Sequence, residues 1–122
     1  MALAESIEYG RAFLGARFLG NRVPLVVSMV VTNRCNYSCG YCDRWDGRGR
    51  QLTTLEILAM LDDMAALGTR RIIFTGGEPL IRKDMFDIIR RAKTHGMKVH
   101  INSNGVLVPR FADQLRLIDG LT

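Results

Sequence analysis

The sequence predicts an α/β fold built from parallel βα repeats. Two observations carry that reading. Short apolar, β-branched runs alternate with segments of helical periodicity, and a polar, glycine-bearing turn closes each apolar run. The composition agrees, since 48% apolar and 24% charged residues describe an ordered globular chain rather than a disordered one.

Leu3, Ile7, Gly10, Leu14 and Phe18 recur at helical spacing, with Glu5, Glu8, Arg11 and Arg17 falling elsewhere. Residues 1–23 therefore read as a helical extension whose apolar stripe packs on the domain. A basic amphipathic helix resting on a membrane surface is the less favoured alternative. Pro24 ends the extension, and "LVVSMVV" reads as a fully buried strand. Thr53 and Glu56 form a capping box for a helix over about 54–67, with Leu55, Leu58, Leu61 and Met64 inward and Gly68 as its stop. "RRIIF" is a second strand, ending in "TGGEPL". Asp84 is placed to cap a second repeat helix running to about His95, with Met85, Ile88, Ile89 and Ala92 on one side. "MKVHIN" is a third strand, ending in "SNG", and a third helix is expected from Pro109, presenting Phe111, Leu115 and Ile118. Roughly three βα units of about 30 residues make the front half of a larger α/β barrel the expected architecture.

The net charge of +5 comes from basic residues spread over the chain. The densest cluster, "RRAK", reads as a solvated helix face, so no nucleic-acid partner is expected. The longest apolar run, residues 24–31, falls well short of the ~20 residues a spanning helix needs. The first 22 residues carry early acids and no continuous apolar core of a secretory signal. The three cysteines are odd in number and clustered, a poor disulfide framework. A reducing compartment, the cytoplasm, is the expected location.

Those cysteines, Cys35, Cys39 and Cys42, stand at spacing C-x-x-x-C-x-x-C just after the first strand. Clustered thiolates suit soft metals and iron–sulfur clusters. A structural zinc site wants four ligands and would have to recruit His95 or His100. His95 ends a helix and His100 lies within a strand, so neither is locally placed for it. A four-iron cluster held by three sulfurs keeps one iron open, the mark of a reactive site. The loop also follows a strand C-terminus, where parallel α/β folds place their chemistry. A non-catalytic iron–sulfur or zinc module remains the alternative.

The loop "CNYSCGYC" resembles the C-x-x-x-C-x-aromatic-C signature of the radical S-adenosylmethionine (SAM) enzymes, with Tyr41 as the aromatic. One strand later, "GGEP" at 76–79 matches the family's second signature, and "SNG" at 103–105 is similar to its polar end of strand three. The resemblance covers about residues 24–122 and implies the first half of a partial (β/α)6 TIM-like barrel, with later strands and their SAM contacts lying beyond these units. It implies that Cys35, Cys39 and Cys42 ligate a [4Fe–4S] cluster whose open iron takes the amino and carboxylate groups of SAM. It places Tyr41 near the adenine, Gly76, Gly77 and Glu78 at the methionine ammonium through backbone oxygens and the carboxylate, and Ser103 and Asn104 near the methionine or ribose. Two glycines suit a close backbone approach, and Pro79 fixes the following turn.

The implied activity is reductive cleavage of SAM to a 5′-deoxyadenosyl radical that abstracts hydrogen from a peptide or small-metabolite substrate. The electron comes from an external donor of flavodoxin or ferredoxin type. Arg44 and Trp45, just past Cys42, are candidates for touching substrate or shielding the loop.

Overall fold

The computed structural model describes residues 2–43 and 46–122. Arg44 and Trp45, the candidate substrate contacts, lie outside the described residues. Four parallel strands form one sheet: β1 (Val26–Thr32), β2 (Arg71–Gly76), β3 (Lys98–Ile101) and β4 (Gly120–Leu121). Their spatial order is their sequence order, each strand pairing with the next. Helix α1 (Ala2–Leu19) precedes the sheet, α2 (Thr54–Ala66) joins β1 to β2, and α3 (Met85–Thr94) joins β2 to β3.

Alternation along the strands sorts side chains between the two faces of the sheet. Met29, Val31, Ile72, Phe74, Val99 and Ile101 are buried in one core with Ile57 and Leu61 of α2 and Ile88, Ile89 and Ala92 of α3. Each such large side chain contributes roughly 1.5–3 kcal/mol of transfer free energy. On β1 the alternate residues Val26 and Val30 are exposed, which corrects the expectation of a fully buried strand: only one of its faces is covered.

Helix α2 begins as its sequence dictates. Thr53 Oγ1 accepts from the Glu56 N–H at 3.2 Å, and Glu56 Oε2 accepts from the Thr53 N–H at 2.8 Å. Gly68, at φ +94°, follows the helix end in the left-handed conformation that glycine favours. The inward face differs from expectation at one position. Ile57 and Leu61 are buried while Leu55 is exposed, because Leu55 lies about 120° round the helix from Leu61.

Three further expectations are corrected. The stripe Leu3, Ile7, Leu14 and Phe18 on α1 is exposed rather than packed. The opposite, acidic face meets the domain, with Glu5 3.7 Å from Arg71 and Glu8 3.8 Å from Arg70. Asp84 stands at the N-cap of α3 but makes no capping bond, because its carboxylate is held by Arg82 and Thr54. The segment from Pro109 forms two 3-10 turns, Pro109–Phe111 and Gln114–Leu117, instead of a third α-helix. Phe111, Leu115 and Ile118 still pack against the core as their spacing implied. The short β4 that follows has its register fixed by Asp119, whose carboxylate accepts the Val99 N–H at 2.9 Å.

Candidate functional site

The three signature segments meet at the C-terminal ends of β1, β2 and β3. At β1 the ladder carries an irregularity between Val30 and Thr32, after which Thr32 pairs with Gly76. The next two amides of β2's extension continue inward: Gly77 N–H donates to Thr32 O at 2.9 Å, and Glu78 N–H to Arg34 O at 2.8 Å. Gly76 sits at φ +143°, and a Cβ built there would lie 2.3 Å from Thr32 O. The glycine is therefore demanded by close approach of two strands as well as by its dihedral.

The base of the cysteine loop is stapled. Arg34 and Asp46 form an antiparallel bridge, Gly47 N–H donates to Asn33 O at 3.0 Å, and Gln51 Oε1 accepts from Asn33 N–H at 3.2 Å. From that base the thiols project, with Cys35 and Cys42 half-buried and Cys39 exposed, all three free of disulfides. Cys42 N–H donates to Cys39 O at 3.0 Å, closing a turn between them. Among the described residues no three His, Cys, Asp or Glu side chains are drawn together at metal-binding distance. Tyr41 is 94% exposed, and its hydrogen bond to Cys39 pushes the phenol above its ordinary pKa.

Glu78 is fully buried and joins the segments. Its Oε1 accepts from Leu80 N–H at 3.0 Å, its Oε2 from Asn104 N–H at 2.7 Å, and the Ser103 hydroxyl lies 3.1 Å from both oxygens. Ser103 Oγ in turn accepts from Gly105 N–H at 3.0 Å. The Asn104 amide reaches back to the cysteine loop, donating to Asn36 Oδ1 at 2.6 Å and standing 3.7 Å from Cys35 Sγ. A continuous hydrogen-bonded path thus runs from Glu78 of the "GGEP" turn through Asn104 to Cys35, with Ser103 as a second branch from Glu78. Pro79 is buried and opens the 3-10 turn Pro79–Ile81. The carboxylate expected to meet an ammonium is therefore committed to protein donors, which leaves the backbone of this turn for ligand contact.

Two residues that the motifs did not single out support this rim. Arg82 donates from Nη1 to Val31 O at 2.8 Å and Leu52 O at 3.0 Å while gripping Asp84 through Nε and Nη2. It ties β1, the start of α2 and the approach to α3 together. Asn36 is the bridge between Asn104 and Cys35. No spacing rule marks either one, because the bonds that tie them to other segments, Arg82 to Val31 and Leu52 and Asn36 to Asn104, span 30 residues or more.

The donor set passes a chemical test for the implied cofactor. Three soft thiols, none consumed by a disulfide, sit on one stapled loop beside a turn whose N–H groups are already satisfied. His95 Nε2 instead contacts Asp62 and His100 Nε2 contacts Thr122, so neither serves as a fourth ligand to the loop.

The site is a parallel βα sheet carrying soft-metal donors at its C-terminal rim, the edge where α/β folds bind their ligands. The model of the radical SAM superfamily matches residues 29–119. The chain is 38% identical over 95 residues to GTP 3′,8-cyclase of Marinobacter nauticus, covering 74% of this chain and 29% of that protein. It is 34% identical over 91 residues to PqqA peptide cyclase of Bradyrhizobium diazoefficiens, covering 72% and 24% respectively. Among solved structures, BtrN in complex with AdoMet and 2-DOIA superposes with a TM-score of 0.69 at 19% identity, over 83% of this chain and 45% of that one. The chain belongs to the radical SAM superfamily. Its fold is the expected α/β type, parallel βα repeats in the arrangement of the first half of a partial (β/α)6 TIM-like barrel. It spans under a third of the length of the curated relatives compared here. Among the described residues no helix is long and apolar enough to cross a membrane.

Proposed function

We propose that the protein is a radical SAM enzyme acting on a peptide or a small metabolite. The carrying observation is the path Glu78–Asn104–Cys35, with Ser103 also bonded to Glu78, which gathers three signature segments on one rim. Cys35, Cys39 and Cys42 hold a [4Fe–4S] cluster. Backbone oxygens of Gly76, Gly77 and Glu78 receive the SAM ammonium, while the buried carboxylate of Glu78 keeps their turn in place. Ser103 and Asn104 border the methionine or ribose, and Tyr41 folds toward the adenine from its exposed position. Pro79 limits the freedom of the turn that follows. When bound, the reduced cluster and SAM supply a 5′-deoxyadenosyl radical for hydrogen abstraction. The chain's own residues hold, orient and shield; none acts as acid, base or nucleophile in that first step. Similarity to a nucleotide cyclase and to a peptide cyclase supports both substrate classes.

The test is anaerobic reconstitution with iron and sulfide, reduction, and EPR with and without SAM. A [4Fe–4S]⁺ signal whose g-values move on adding SAM is the expected result. A cluster indifferent to SAM supports an electron-transfer module instead, and a colourless zinc protein overturns the reading at the cysteines.

A further inference from the structure

Beside the cysteine loop lies a groove of about 500 Å³ that the proposed chemistry leaves unused. Its floor is apolar, formed by Leu80, Phe86 and Phe111, with the two rings 5.3 Å apart and tilted by 53°. These side chains belong to the layer that α3 covers, so the groove opens on the helical side of the strand ends. Its rim is basic, and no acidic side chain lines it. Arg82 is committed to Asp84 and to two carbonyls. Lys83 and Arg110 are exposed, and neither is in an ion pair among the described residues. The Arg110 guanidinium only covers the Phe111 ring, 5.6 Å from its centre. Asn36 forms the wall toward the loop, and its Oδ1 lies 3.9 Å from Cys35 Sγ.

An apolar floor with two unpaired cations on its rim fits a partner that presents an apolar knob ringed by acids. A substrate has to reach the strand ends themselves, whereas a donor of one electron need only come close to the cysteine loop, and this groove lies beside that loop on the helical side of the sheet. We propose that this groove is the docking site of an acidic one-electron carrier protein, with Lys83 and Arg110 steering it and Asn36 separating it from Cys35. This inference rests on the proposed radical SAM function. One electron passes from the reduced carrier to the [4Fe–4S]²⁺ cluster, giving the +1 state and the carrier oxidised by one electron, with no proton transferred. Steering of this kind raises association rates and weakens as salt screens it.

The experiment compares the reconstituted protein with its Lys83→Glu/Arg110→Glu variant, using reduced flavodoxin or dithionite as reductant in stopped flow. The expected result is about a tenfold slower reduction by flavodoxin at low ionic strength, converging with the parent as salt rises. Dithionite reduction and the EPR response to SAM stay unchanged. An Arg11→Glu/Arg17→Glu variant carries the same charge change on α1 and keeps the parent rate, which separates local steering from net charge. Parental flavodoxin rates in the groove variant overturn the proposal. So does an equal loss with dithionite, or a dithionite-driven turnover defect that points to substrate in the groove. A protein that forms no cluster, or one that ignores SAM, fails at the proposed function first, and the docking proposal falls with it.

Discussion

The Glu78 carboxylate accepts the backbone N–H of Asn104 at 2.7 Å from a fully buried position, linking the end of β2 to the end of β3. Removing it orphans that amide, the Leu80 amide and the Ser103 hydroxyl together. Of these only Leu80 is buried, Asn104 being exposed, and leaving one buried donor unsatisfied costs about 1–3 kcal/mol. Glu78→Ala is expected to lose about that much in urea denaturation, and Glu78→Gln less, because one carbonyl oxygen still accepts. An alanine variant as stable as the parent would show that the carboxylate is no strut.

Gly76→Ala is expected to cost ~1–3 kcal/mol, the range of backbone-strain and overpacking lesions. The φ of +143° is strained for alanine, and the new methyl would press on Thr32 O. Gly40→Ala, with open space at its Cβ and no positive φ, serves as control and stays within about 0.5 kcal/mol. Parallel melts of the two variants check this contrast.

Asp84 carries a pH signature. The hydrogen bonds from the Arg82 guanidinium, and then from Thr54, hold its carboxyl below the usual carboxylate range against the opposing cost of burial. An unfolded aspartate titrates near ~3.9. The stabilisation is therefore complete above that value and is lost as pH falls through the lower folded value. Urea midpoints taken from pH 7 to pH 2 should fall below about pH 4 more steeply in the parent than in Asp84→Asn. Parallel curves would show that Asp84 does not report this pairing.

Each of Cys35→Ser, Cys39→Ser and Cys42→Ser is expected to abolish cluster assembly, measured as iron per chain and visible absorbance after reconstitution. His95→Ala and His100→Ala leave both unchanged, since those imidazoles contact Asp62 and Thr122. Loss of bound metal in a histidine variant would favour the four-ligand zinc site.

Local signals were legible in the sequence and long-range ones were not. The Thr53–Glu56 box, the Gly68 stop and the β-branched runs each report on a few neighbouring residues, and each stands in the structure where the pattern puts it. The third helix failed because the apolar spacing of Phe111, Leu115 and Ile118 is satisfied equally by two 3-10 turns packed on the core. On α1 the periodicity identified a stripe but not its direction, because the ion pairs to Arg70 and Arg71 lie more than 60 residues away. At the candidate site, the motifs pointed to three segments that the structure brings together, while Asn36, Arg82 and the strut role of Glu78 emerged only from bonds between those segments and their neighbours.

The strand order bears on how the chain comes to exist. Each strand after β1 pairs with the one synthesised immediately before it, so no strand skips its neighbour in sequence to find a partner. The pairings Val26–Arg71, Arg71–Lys98 and His100–Gly120 are thus the shortest crossovers that a parallel sheet of these strands allows, and shorter crossovers close faster. Translation therefore delivers each βα unit onto a sheet edge already formed, and assembly proceeds in the direction of synthesis. The cysteine loop emerges before "GGEP" and "SNG", so iron–sulfur delivery to the ribosome-bound chain would meet its thiols before the struts that will fix them.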